Sequence, residues 1–245
     1  MLRIFNYPKE RKEEMKLSNR LMAIANFVPK NSIVADIGTD HGYIPVYLIE
    51  NSISKKAIGT DISKGSLDKI IEYIKTLNLE DKIDTRLGDG LEVIKPFEID
   101  TLIIAGMGGL LIRDILEKNK DVTETIVNFI LQPMVAAKEL REYLVENNFK
   151  ILKEELVKEE NKYYEIIFAK KGKSYIEKEI HYEISPLLIK EKHPFLKEFI
   201  QFRMMELNKI LEEIKDVNTE KSKERYLEVM NKIKDYKGVL EEIEG

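Results

Sequence analysis

Three aspartates with small residues beside them end apolar runs: Asp36 in VADIGTDHGYIP, Asp61 in AIGTD and Asp89 in LGDGLEVI. A carboxylate so placed accepts hydrogen bonds or meets a cation, and a neighbouring glycine lets the backbone approach a ligand. In the first segment Val34 and Ile37 suit a buried strand, Gly38 permits a sharp turn, and Tyr43 to Glu50 begins a helix. The turn also carries Asp40 and His41 side by side. Its glycines, Gly38 and Gly42 in the order G-T-D-H-G, depart from the G-x-G-x-x-G of a dinucleotide site, which argues against hydride transfer. Asp61, roughly 20 residues further on, suits the two hydroxyls of a ribose. Asp89, between Gly88 and Gly90, suits an adenine amino group. Each acid alone also suits a helix or turn cap.

Two further segments reach the same rim. AGMGGLLI, Ala105 to Ile112, supplies Gly106, Gly108 and Gly109 as a flexible turn, either for backbone approach to a substrate or simply as a tight strand-to-helix connection. LQPM, Leu131 to Met134, brings Gln132, which either bonds a nucleobase or satisfies buried backbone. The chain has no cysteine, and His41, His181 and His193 are scattered, so neither a disulfide nor a metal site is expected. Chemistry falls to carboxylates, amides, backbone groups or a borrowed cofactor.

Apolar runs rich in Ile and Val alternate with helix-period segments, the pattern of a mostly parallel α/β sheet. Strands are expected at Ile33–Asp36, Ala57–Asp61, Ile83–Leu87, Ile99–Ala105, Val127–Gln132, Ile151–Leu156 and Tyr163–Ala169. Helices are expected at Leu17–Val28, Tyr43–Glu50, Leu67–Leu77, Leu110–Glu117 and Ala136–Asn147. The polar stretch Val157 to Lys162 is too short for a crossover helix, so the last two strands form an antiparallel pair. The pattern changes at Lys170 to Lys173, which divides the chain into a sheet domain, 1–170, and a helical domain, 171–245. There Leu196, Ile200, Met204, Leu207, Leu211 and Ile214 make one helical stripe, and Tyr226, Val229, Ile233, Tyr236, Leu240 and Ile243 another. Asp216 to Thr219 turns between them, with Asn218 or Thr219 as N-cap, giving an antiparallel hairpin that packs on itself, on the main domain or on a second copy.

With 245 residues, 43% hydrophobic, the chain is long enough for one large core or a core and an appendage. There is no apolar run of about 18 residues to span a membrane, and Met1 to Lys16 is too charged for a signal peptide, so a cytoplasmic location is expected. The net charge of -4 argues against a strong nonspecific grip on nucleic acid but allows a local basic patch.

Taken together, VADIGTDHGYIP, RLGDGLEVI, IIAGMGG, LQP and KYYEII (Lys162 to Ile167) resemble the class I methyltransferases, and within them the bacterial tRNA (adenine-22 N1)-methyltransferases. The resemblance covers Leu17 to Ala169, and DIGTDHGYIP followed by GMGG is its most specific part. It implies a seven-stranded Rossmann-like sheet with one antiparallel strand, a C-terminal coiled-coil hairpin, S-adenosylmethionine as cofactor and tRNA as partner. By matching positions, Asp36, Gly38 and Gly42 line the methionine side, and Gly106 also belongs to the cofactor site. Asp61 and Ile62 meet the ribose and adenine, and Asp89 and Gly90 the adenine edge. Asp40 and His41 face the reacting centre, while Tyr43, Met107, Gly108, Arg113 and Gln132 serve the substrate. Two positions depart from the family: Ser66 follows Gly65 where proline is usual, and Met134 follows Pro133 where many members have asparagine, so Met134 offers only an apolar contact.

Adenine N1 has a free lone pair, so the implied chemistry needs mainly orientation, with Asp40 to stabilise the charge that develops on the base or to accept a proton, and His41 as helper or structural residue. Alternatively Asp40 only holds the cofactor. Because N1 lies on the pairing edge, the base must leave its stem, and Tyr43 is placed to stack on it. Candidate phosphate contacts are Arg20, Lys55, Lys56, Lys64, Arg86, Arg113 and Arg141, with Arg113 favoured because it follows GMGG by a helical step. A methyltransferase for a small molecule or protein, and a non-catalytic RNA-binding protein on the same fold, are the alternatives. A monomer and a weak dimer both fit the hairpin.

Overall fold

The computed structural model describes residues 16–217 and 219–244; the charged stretch 1–15 and the candidate cap Asn218 lie outside the described residues. A sheet of seven strands is formed by β1 (Ser32–Ile37), β2 (Ser54–Asp61), β3 (Ile83–Leu87), β4 (Thr101–Met107), β5 (Asn128–Pro133), β6 (Phe149–Glu159) and β7 (Lys162–Lys171). Around it lie α1 (Asn19–Asn26), α2 (Tyr43–Glu50), α3 (Lys64–Thr76), α4 (Gly109–Lys118), α5 (Lys120–Thr123) and α6 (Ala137–Glu146). Four helices follow: α7 (Ile180–Glu183), α8 (Pro186–Lys190), α9 (Leu196–Ile214) and α10 (Glu220–Glu244).

The spatial order is β3-β2-β1-β4-β5-β7-β6. The first five strands run parallel, and β7 enters antiparallel between β5 and β6. Side chains two apart on a strand share a face, and the strands are apolar on both faces. Val34, Ile103 and Ile130 pack with Ile24 of α1 and Leu48 of α2, while Ala35, Ile104 and Leu131 pack on the other face with Ile112 of α4 and Leu140 of α6. This two-sided burial fixes the strand register, and with it which residues stand at the carboxyl ends.

The connection expected at Val157 to Lys162 is shorter than it looked. β6 runs on to Glu159, and only Glu160 and Asn161 separate it from β7, Glu160 at φ 53°. Leu156 and Tyr163 on this projecting ribbon pack against Leu188 of α8 and against Leu196 and Phe199 of α9. The helical stripes then divide: Tyr236 and Val239 join that cluster, and Leu211, Val229 and Ile233 close the hairpin on itself. Thr219 caps α10, its Oγ1 accepting from the Ser222 N–H at 3.1 Å. Among the described residues no helix is long and apolar enough to cross a membrane.

Arg141, one of the candidate phosphate contacts, is fully buried. Its guanidinium donates to Glu154 of β6 at 2.8 Å, to Glu165 of β7 and to the Tyr182 carbonyl of α7 at 3.0 Å. It therefore ties α6, the β6–β7 ribbon and the helical region together and has no surface to offer RNA. Burial outweighs the attraction at Glu154 and pushes its carboxyl above the ordinary range. Arg141→Met would leave the buried Glu154 beside Glu165 with no cation between them, so we expect a loss of about 3–5 kcal/mol in denaturant unfolding. A loss under about 1 kcal/mol would show that the cluster is not holding these elements.

Candidate active site

β1 and β4 are neighbours whose chains leave toward opposite faces of the sheet, β1 into α2 and β4 into α4. A crevice opens at such a switch point, beyond the carboxyl ends of the strands. Here it is a cavity of about 410 Å³, with Asp36, Gly38, Asp40 and His41 on the β1 side and Ala105 and Gly106 on the β4 side. Arg20, Thr39, Tyr43, Met134 and Tyr164 are also among its lining residues. A second cleft of about 490 Å³ shares Met134 and Tyr164 and runs to Phe199 and Phe202 of α9.

The first turn is built as a cradle. The N–H groups of Gly38 and Thr39 both donate to the Thr60 carbonyl, at 2.9 and 3.0 Å, which pins the turn to β2. Gly38 sits at φ +71°, where a side chain is strained, and a Cβ there would lie 2.4 Å from the Met107 methyl. Asp36 is buried at the floor, and burial pushes its carboxyl up to about 7. The nearby Thr39 hydroxyl gives only a smaller pull the other way. A buried acid so lightly supported is suited to meeting a cation.

Asp40 and His41 stand at the exposed rim, with Asp40 Oδ2 3.5 Å from His41 Nε2. Asp40 adopts φ 48°, so this turn holds it in the left-handed region. The His41 ring lies 5.2 Å from that of Tyr43, which in turn meets Tyr73 edge-on at 6.3 Å. Acid, imidazole and a half-exposed aromatic thus share the cavity mouth.

Asp61 and Asp89 lie outside that cavity wall, at the ends of β2 and just past β3. One Asp61 oxygen accepts the Ser63 N–H at 2.7 Å at the start of α3, leaving the other for a ligand. The cap and ligand readings are compatible here. Ile62 beside it is 74% exposed, an apolar face without cover. Asp89 is exposed, 3.7 Å from Lys118 Nζ, and Gly90 is buried at φ +56° against Ile115.

The GMGG turn is a tight strand-to-helix connection tied to the segment that follows β5. Met134 N–H donates to the Met107 carbonyl and Gly109 N–H to the Val135 carbonyl, both at 2.8 Å, and a Cβ on Gly109 would lie 2.1 Å from the Ala136 oxygen. Gly108 serves as the cap position of α4, and Met107 covers Gly38. Gln132 is wholly buried: its Oε1 accepts from Arg20 Nη1 at 2.8 Å and Gly106 N at 3.1 Å, and its Nε2 donates to the Pro133 carbonyl at 2.9 Å. Of its two readings, the one that satisfies buried groups is what this geometry contains. Arg113 of α4 pairs with Asp114 at 2.7 Å and is not among the residues that line the cavity. Arg86 is engaged by Glu98 and Asp84, and the Arg86 hydrogen bonds hold the Glu98 carboxyl down at about 2. Thr39 and Tyr164 were missed as wall residues, although KYYEII marked the latter, and Arg20 stood only as one basic residue among seven.

Residues 17–167 match the family model described as a methyltransferase domain. The chain is 34% identical over 239 residues to the tRNA (adenine(22)-N(1))-methyltransferase of Bacillus subtilis, covering 93% of this chain and 98% of that protein. The crystal structure of the B. subtilis m1A22 tRNA methyltransferase superposes with a TM-score of 0.85, covering 92% of this chain and 99% of that one at 34% identity. A similar enzyme from M. capricolum, solved with S-adenosyl-homocysteine, gives a TM-score of 0.81 at 30% identity, covering 93% and 99% of the two chains.

Asp36 links the site to stability. Its folded value of about 7 lies above its unfolded one near 3.8, so the folded state holds a proton that the unfolded chain has lost. Stability from this group is therefore greatest below pH 4 and falls as pH rises through 7, by about 4 kcal/mol. Asp36→Asn should match the parent near pH 4 and exceed its unfolding free energy by several kcal/mol at pH 8. A difference independent of pH would show that Asp36 is not held protonated.

Proposed function

The chain belongs to the family of tRNA (adenine(22)-N(1))-methyltransferases, and on that premise we propose that it transfers a methyl group from S-adenosylmethionine to N1 of adenine 22 in tRNA. The observation that carries this reading at the level of the site is Asp36, a buried acid at the strand switch point beside a glycine cradle. The donor fits these residues. Its ammonium is the cation that the Asp36 carboxyl lacks, and the Gly38 turn leaves backbone where a side chain would intrude.

When bound, S-adenosylmethionine supplies an electrophilic methyl group on a sulfonium. Asp36 gives up its proton and holds the ammonium, and Gly42 and Gly106 flank the same end. Asp61 offers its free oxygen to the ribose, Ile62 an apolar face to the adenine ring, and Asp89 with Gly90 its edge. On the substrate side Tyr43 stacks on the extruded base, since N1 is inaccessible in a pair. Met107 and Gly108 border it from the β4 side. The N1 lone pair needs no base to free it, so the chain's main contribution is alignment. As positive charge grows on the base, Asp40 stabilises it and can take a proton from the exocyclic amine, with His41 steadying Asp40. A tRNA substrate supports a cytoplasmic location. The end of β7 at Lys171 supports a division near 170 into a catalytic and a helical unit.

Labelled S-adenosylmethionine incubated with unmodified tRNA should yield N1-methyladenosine at position 22. Absence of transfer while the cofactor binds would contradict the substrate assignment. Asp40→Ala should lower kcat by about 100-fold or more with little change in cofactor Kd. Full turnover in that variant would remove Asp40 from the chemistry.

A further inference from the structure

Of the seven basic residues considered for phosphate, one stands in the wall of the cavity. Arg141, Arg86, Arg113 and Lys64 are paired with carboxylates, and Lys55 and Lys56 lie at the start of β2, the end of the sheet away from Asp61. Arg20 differs. Among the described residues no carboxylate pairs with its guanidinium, because Glu159, which touches this residue, takes the backbone N–H instead at 2.7 Å. The guanidinium lies 5.3 Å over the Tyr164 ring and gives Nη1 to Gln132 Oε1 at 2.8 Å. Gln132 holds Gly106 N with the same oxygen at 3.1 Å. The side chain is thus laid over an aromatic face and oriented by a buried amide, with no carboxylate among the described residues paired to its charged guanidinium.

That charge is out of place for a site that admits a sulfonium and builds positive charge on a base, unless the reactants also bring an anion. They bring two: the carboxylate at the amino-acid end of the donor, and the phosphodiester of the target nucleotide. Both present oxygens that match the donor fork of a guanidinium. We propose that Arg20, seated on Tyr164 and oriented by Gln132, is the oxyanion-binding residue of this cavity. The proposal rests on the methyl-transfer reading above. It gives a role to Tyr164, the second tyrosine of KYYEII, which borders the cavity, the adjoining cleft and the groove beside Lys16 and Lys162.

The test uses Arg20→Met and Tyr164→Leu in the full chain. Calorimetry measures binding of S-adenosylmethionine and of its decarboxylated analogue, and tRNA methylation is followed across salt concentrations. If the anion is the donor carboxylate, Arg20→Met weakens S-adenosylmethionine about tenfold or more and leaves the decarboxylated analogue within about twofold. If it is phosphate, both donors bind as before, the KM for tRNA rises about tenfold, and the salt slope falls by about one. Either result supports the proposal and names the source. Equal weakening of both donors without a change in salt slope would place Arg20 in the structural support of Gly106 and overturn it, as would no change in any quantity. Tyr164→Leu, which leaves Gln132 in place, should move the same quantity by a smaller factor; no movement would contradict the seating on Tyr164. Failure of the parent protein to methylate tRNA is a different result, which contradicts the substrate assignment. The donor arm then decides Arg20 alone, and unequal weakening of the two donors is the result it must give.

Discussion

A carboxyl group shut away from water at the end of a central strand favours its neutral form until a cation reaches it, and Asp36 is held in that condition by the whole sheet. Val34 and Ala35 before it are packed on opposite faces, so the strand cannot slip and the acid cannot turn toward solvent. The following turn is pinned by two hydrogen bonds to Thr60 and passes through a conformation that favours glycine. Opposite, the β4 turn is clamped by the Met134 to Ala136 segment and by Gln132. The buried acid is a cost in the free protein; on the proposed reading the cationic donor relieves it, and affinity and stability then draw on the same group.

This arrangement divides the site into a rigid floor and an open rim. Asp36 and Gln132 are buried and Gly106 gives its N–H to Gln132, whereas Asp40, His41 and Tyr43 face the mouth. Groups that hold a small cofactor gain from preorganisation, while groups that meet a base drawn out of an RNA stem must be reachable from outside. The cleft under α9 continues from Met134 and Tyr164, which gives the helical region a position beside the entrance.

Much of the fold was legible because its signals are local. The two-sided apolar runs placed all seven strands, with Ile83–Leu87 matching at both ends, and Tyr43–Glu50 was found as a helix. The outer ends of β6 and β7 were not legible, since Val157 to Lys162 is a polar, charged stretch whose strand character comes from its pairing across the ribbon. Short α7 and α8 were passed over, although Ser185 followed by Pro186 is a start signal for the second. The glycine spacing marked Asp36 and Asp40, which line the cavity, together with Asp61 and Asp89, which stand outside its wall. The basic residues were harder to sort, because a sequence does not say which cations are already consumed: Arg141 is spent on the buried Glu154 and on Glu165, Arg113 on its neighbour, and the Arg20 guanidinium on no carboxylate among the described residues.

The ionisation of Asp36 can be followed directly by carbon NMR in aspartate-labelled protein, with Asp36→Asn to assign the signal, free and with S-adenosylhomocysteine bound. A midpoint near 7 in the free protein, falling by at least about two pH units when the amino-acid end of the ligand is in place, is the expected result. A free midpoint in the ordinary carboxylate range near 4, or one that does not move on binding, would contradict the account.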